Sequence, residues 1–165
     1  MRLPPGMLAH NTPANIASST MNPMKRECLL LQRLIAHVNR KQWWHVPPQD
    51  PNAYSKRGKF YSATYREAEF YGRPDDNPEK VRVERPLIGD EKAISRVLGI
   101  PPQHDGMTLE EIAEHDARWR NAALAKGYDS IVLIVPKAFA EFKASGKLPR
   151  SVELNILNVG QRSHA

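Results

Sequence analysis

Apolar positions recur at helical spacing near the start of the chain. Cys28, Leu31, Leu34, Ile35 and Val38 fall on one face of the segment 23–41. Asn22 followed by Pro23 supplies an N-cap and a first-turn proline. After this helix the apolar runs shorten. Trp43, Trp44, His45 and Val46 predict a short strand stopped by Pro47 and Pro48, and 47–58 reads as a loop. Phe60 to Ala63 predicts a second short strand. Thr64 with Glu67 three residues on reads as a capping box for a helix that ends at Gly72 and Pro74.

The second half repeats these signals more clearly. Val81 to Ile88 predicts a strand with a bulge or edge near Pro86. Asp90 caps a helix to about Leu98, and 99–106 is a loop. Thr108 and Glu111 form a capping box for a helix to Lys126, with Gly127 as its C-cap. Tyr128 to Val135 has a wholly apolar centre, which predicts a buried strand with neighbours on both sides. A short helix over 136–145 puts Phe139 and Phe142 on one side, and Val152 to Val159 predicts the last strand. Helices and strands are interspersed without a steady βαβ rhythm, so the predicted class is α+β.

Composition narrows the organisation. The 165 residues are one domain's worth. The expected layout is a flexible arm over 1–22, one domain over 23–160 that opens with a basic amphipathic helix over 23–41, and a tail over 161–165. The arm is rich in Pro, Asn, Ser and Thr, has no apolar run of secretory-signal type, and reads as dispensable even for a start at Met21 or Met24. No apolar run is long enough to span a bilayer, and Cys28 is the only cysteine. A cytoplasmic setting without membrane association is therefore expected.

The net charge of +6 is uneven. Residues 1–41 carry six Lys/Arg against Glu27, whereas residues 42–165 carry 18 basic and 17 acidic side chains. A nearly neutral body weakens a nucleic-acid reading, which needs a basic face on the recognising domain. The basic helix reads first as a solvated face and second as a place for an acidic partner.

Familiar chemical motifs are missing: no GxGxxG, no GxxxxGK[ST] and no HExxH occurs. His104-Asp105 and His115-Asp116 sit in or beside polar stretches and read as solvated pairs, so no metal site is expected. Asp116 is odd, because it interrupts the stripe of Leu109, Ile112, Trp119 and Ala123, where a carboxylate needs a partner.

Four stretches carry a resemblance when read in order. They are Trp44-His45; Gly58 to Thr64 followed by Ala68-Glu69-Phe70-Tyr71; Gly127 to Ile131; and Ser151 to Ile156. Together, over roughly 42–160, they resemble the ADP-ribosyltransferases of the His-Tyr-Glu class, including small phage and bacterial members. The resemblance implies a split mixed or antiparallel sheet with short peripheral helices, and NAD as co-substrate. It implies Glu153 as the catalytic group, a fixed negative charge beside an oxocarbenium-like centre. It also implies that His45 hydrogen-bonds the adenosine-side ribose and that Tyr61 stacks on nicotinamide, with Ser62 on the same strand and Tyr71 closing the other side. Val46 stands where the family has a glycine holding the carboxamide by its backbone. Ser151 stands where the arginine-modifying class has a second acid, so the resemblance does not imply an arginine acceptor. The acceptor, protein or nucleic acid, stays open, as does the oligomeric state. Two other readings remain: a non-catalytic binding module for protein or nucleic acid on the same fold, and an RNA 2′-phosphotransferase-like enzyme, which lacks a late catalytic glutamate.

Overall fold

The computed structural model describes residues 22–159, so the expected arm, apart from Asn22, and the tail lie outside the described residues. Helix α1 spans Pro23–Arg40, and the Asn22 side chain accepts from the Met24 amide at 3.0 Å as its N-cap. The buried face runs through Leu30, Leu34 and Val38, with Ile35 beside it. Cys28 and Leu31 are exposed, which corrects their expected place on that face. The helix is turned so that two of its arginines reach helix α6, Pro136–Ser145. Arg26 donates to the carbonyls of Lys143 and Ala144 at 2.7 and 2.8 Å, and Arg33 donates to Gly146 at 3.0 Å. These carbonyls end a helix and have no intrahelical partner, so cations suit them.

Strand β1 is Gln42–Trp43 and pairs antiparallel with β3, Glu79–Lys80. Trp44 continues β1 into a bridge with Ser62. The stretch expected as a loop contains helix α2, Ala53–Arg57, which shows no side-chain cap and buries only Ala53. Strand β2, Lys59–Ser62, leads into α3, Tyr65–Glu69, and the Thr64 hydroxyl accepts from the Glu67 amide as expected.

Of the strand expected over 81–88, only 86–88 is strand, as part of β4, Pro86–Gly89; 81–85 pairs in no sheet, and β3 ends just before it at Lys80. Between β3 and β4 the backbone is held by side chains instead of a ladder. Asn39 accepts from the Val83 amide at 2.7 Å and donates to the Val83 carbonyl at 3.0 Å. Asp129 accepts from the Glu84 amide at 2.7 Å. Pro86 opens an edge strand, where its missing N–H costs no pairing. Helix α4, Glu91–Leu98, is capped by Asp90 and ends at left-handed Gly99. Helix α5, Leu109–Ala125, opens with the full Thr108–Glu111 capping box. Strands β5, Ser130–Ile134, and β6, Val152–Ile156, complete the chain.

The main sheet has the order β2-β6-β5-β4. Pairs β2–β6 and β6–β5 are antiparallel, and β5–β4 is parallel. The fold is therefore mixed α+β, with β5 between two neighbours as expected. Register assigns the two faces, because directly paired residues point the same way. Tyr61 pairs with Leu154, and Leu154 with Val132, on the face that packs with Leu34, Val38, Trp43 and Phe142. Phe60 pairs with Asn155, and Ser62 with Glu153, on the opposite face. There Ile131 and Leu87 pack with Ile94, Leu98, Trp119 and Ala123 from α4 and α5. Leu109 lies outside this core and is exposed. Among the described residues no helix is long and apolar enough to cross a membrane.

Candidate functional site

Glu153 sits on β6 between Ser62 on β2 and Leu133 on β5, on the face toward α4 and α5. Two cavities meet at this residue. One of about 210 Å³ lies under α5 and is walled by Phe60, Gln103, His115, Asp116, Trp119 and Asn155. The other, of about 500 Å³, opens past Ser62, Phe70, Val135 and Ser151. Glu153, Tyr71, Glu91 and Leu133 line both. The Tyr71 hydroxyl donates to Glu153 Oε2 at 3.3 Å. Burial, and then the Glu153 charge, push the Tyr71 phenol up to about 12.

Acids outnumber cations around the site: Glu67, Glu91, Asp116 and Glu153 line the two cavities against Lys92 on the larger one. Burial raises the Glu153 carboxyl above its ordinary value against the hydrogen bond from Tyr71, and Glu91 raises it further. Asp116 is pushed up to about 7, first by burial and then by Glu153, while Arg57 and the Gln103 amide oppose the shift. Gln103 Nε2 donates to Asp116 Oδ1 at 3.0 Å. The carboxylate that looked misplaced on the α5 stripe thus faces Glu153. Ser151 brings no acid to Glu153's own strand; the second acid arrives from a helix.

The expected site residues divide into two groups. Ser62, Tyr71 and Glu153 come together around the larger cavity. His45 and Tyr61 do not join them. Tyr61 lies on the opposite face of the sheet and is buried, and its hydroxyl donates to Glu79 Oε2 at 2.8 Å. Burial, then that bond, hold its phenol far above the ordinary range. Lys59 Nζ donates to the same carboxylate at 2.9 Å. Burial alone would raise Glu79, but the bonds from Lys59 and Tyr61 prevail and hold it low.

His45 is buried beside Tyr61, their ring centroids 5.5 Å apart. Its Nδ1 lies 2.7 Å from the Phe60 carbonyl and its Nε2 lies 2.8 Å from the Tyr54 hydroxyl. A carbonyl only accepts, so Nδ1 carries the proton and Nε2 accepts from Tyr54. Both ring nitrogens are engaged inside the protein, and burial lowers the His45 pKa despite the bond to Phe60. A stacking role for Tyr61 and a ribose bond from His45 at the Glu153 cavities are corrected by this geometry: one sheet layer separates them. Val46 packs against Gly72, where a Cβ would meet Val46 Cγ1 at 2.9 Å. It therefore shapes the turn just after Tyr71.

Phe60, Asp116, His115, Gln103 and Asn155 line the site without having been expected there. For Asp116 the signal was present, as a carboxylate on an apolar stripe. For Phe60 it was not, because adjacent aromatics in a four-residue strand that packs on both faces do not declare their phase. Among the described residues no group of three or more His, Cys, Asp or Glu is placed to hold a metal ion.

Comparison with protein-family models, with curated proteins and with solved structures finds no match to this chain.

Proposed function

We propose that this chain is an NAD-dependent ADP-ribosyltransferase or NAD-cleaving enzyme on an ADP-ribosyltransferase-like fold, with Glu153 as its catalytic residue. One observation carries the reading: a half-buried glutamate, hydrogen-bonded by a tyrosine, stands at the junction of two cavities and faces a second carboxylate. The nicotinamide ring of NAD is a cation, and cleavage of its bond to ribose moves positive charge onto the sugar. A fixed anion in a partly desolvated site stabilises that charge more as it develops than in the bound substrate.

In this reading the dinucleotide enters by the larger cavity. Tyr71 replaces Tyr61 as the aromatic beside the nicotinamide, with Phe60 deeper in the wall. The C1′–N bond breaks, its electron pair leaves with neutral nicotinamide, and a nucleophile bonds C1′ from the other side. When the nucleophile is water or a hydroxyl, its proton passes to Asp116, whose pKa of about 7 suits a base at neutral pH. A macromolecular acceptor, protein or nucleic acid, would take the place of water.

An RNA 2′-phosphotransfer reading is less well supported, because it needs free histidines against phosphate and both nitrogens of His45 are engaged. The binding-module reading leans on the basic helix, yet two of its arginines cap α6. The test is nicotinamide release from NAD, measured alone and in a cell lysate that offers acceptors. Release above background supports the reading; none in either setting, with a melting temperature indifferent to NAD, refutes it.

A further inference from the structure

Helix α2 directly precedes the edge strand β2 and has a hold on each face of the main sheet. On the side of Tyr61, the Tyr54 hydroxyl donates to His45 Nε2 at 2.8 Å, and His45 is fixed in turn by its Nδ1 proton on the Phe60 carbonyl at 2.7 Å. Burial first, and then Asp75 and Glu79, raise the Tyr54 pKa, so the phenol keeps the proton it donates. On the cavity side, Asn155 Nδ2 donates to the Arg57 carbonyl at 3.0 Å. Gly58 packs so closely on Asn155 that a Cβ there would collide with its Oδ1, so the end of the helix rests on β6. The helix itself is weak. It has no side-chain cap and buries only Ala53, and five residues are too few to hold a helix by their own bonds. Its place depends on these two attachments and on its packing against α5.

What α2 brings to the site is a charge. Arg57 is the cation that acts on Asp116, against burial and the Glu153 carboxylate. Its guanidinium makes no hydrogen bond or ion pair among the described residues, so the charge stands where the backbone of α2 carries it. The other groups around Asp116 do not replace it. Glu153 on β6 and Glu91 on α4 are acids, the Tyr71 hydroxyl after α3 donates to Glu153, and His115 on α5 is engaged through Nε2 by the Pro101 carbonyl. We propose that Tyr54 and His45 are positioning residues for this site: their shared hydrogen bond anchors α2 and so keeps the Arg57 charge within reach of Asp116, across the sheet from both. A histidine expected at the site thus acts on it through a helix. The coupling stands on the contacts of α2 alone. Its bearing on catalysis rests on the NAD reading, in which Asp116 is the base.

The test is a nuclear magnetic resonance titration of the Asp116 carboxyl in the full chain, without NAD, with its signal assigned by its loss in Asp116→Asn. Arg57→Gln should move the titration to higher pH, because a cation that favours the charged form is removed. Tyr54→Phe keeps the ring and removes only the bond to His45. It should move the titration the same way and by less. In the Arg57→Gln background Tyr54→Phe should add nothing, because its effect runs through Arg57. A purely structural role for Tyr54 would lower the urea midpoint and leave the Asp116 titration in place. No upward shift in Tyr54→Phe, none in Arg57→Gln, or an undiminished further shift in the double variant would overturn the proposal. None of these outcomes depends on nicotinamide release, so the positioning role and the NAD reading can fail separately.

Discussion

Tyr61 pairs with Leu154, the neighbour of Glu153, and that one step of register puts the two side chains on opposite faces. The consequence is testable. Tyr61→Phe should lower stability by about 1 kcal/mol, the scale of one hydrogen bond lost to Glu79, and should leave NAD affinity unchanged. Denaturant unfolding and NAD titration separate these effects; weakened NAD binding in a variant of unchanged stability would place Tyr61 at the cofactor after all. His45 gives a pH signature. Its folded-state pKa lies below the ordinary 6.5, so its neutral form favours the fold. That stability is present above 6.5 and is lost as pH falls through the folded value. The melting temperature should therefore drop on acidification below about pH 6, and less so in His45→Gln; equal drops would contradict the assignment. Asp116 has the opposite sign. Its pKa of about 7 is raised from 3.8, so the carboxyl burdens the fold increasingly from about pH 4 to pH 7. The groups facing it are Glu153 on β6, Glu91 on α4, Arg57 on α2, His115 on α5 and Tyr71 after α3. Asp116→Asn should raise the melting temperature at pH 8 and leave it nearly unchanged below pH 4, and a stabilisation independent of pH would argue against a buried charge.

At the scale of elements, capping chemistry was the most legible signal. Asn22, Thr64, Asp90 and Thr108 all accept the expected backbone amides. Each is a local interaction, fixed by residues two or three positions apart. Errors arose where distant side chains decide. The strand expected over 81–88 broke because Asn39 and Asp129 hold Val83 and Glu84, from 44 and 45 residues away. The face of α1 was misjudged because Arg26 and Arg33 turn it toward α6, over more than 110 residues of chain. Helix α2 was missed because five residues show no period. Its end at Gly58 yields a sharp prediction. Gly58 has φ of +88°, and a Cβ there would lie 2.2 Å from Asn155 Oδ1 and 2.8 Å from the Ile156 carbonyl. Gly58→Ala should cost roughly 2 kcal/mol or more, by strain and by displacing Asn155 from the cavity wall. A urea midpoint within error of wild type would contradict the close approach.

Over the whole molecule, the sheet is a partition between a core toward α1 and α6 and a cavity-bearing face toward α4 and α5. The sequence showed that β5 is buried, and Ile134 on the first face is 1 % exposed. Ile134→Asp should abolish cooperative folding, since an unpaired buried carboxylate costs several kcal/mol. The stretches around Ser62, Tyr71 and Glu153 were legible as a site because each lies in a short, distinctive motif. Phe60, Asn155 and Asp116 needed the register and the docking of α5 before they could be seen as part of it. The central claim is that Glu153 stabilises a developing cation, and it is tested most directly by nicotinamide release from NAD in Glu153→Gln against wild type. The account predicts NAD affinity within a few-fold, a melting temperature kept or raised at neutral pH because burial opposes the charge that is removed, and turnover lower by about a hundredfold or more, the scale of removing one electrostatic stabiliser. Turnover that survives the substitution, or a wild type that releases no nicotinamide, would contradict it.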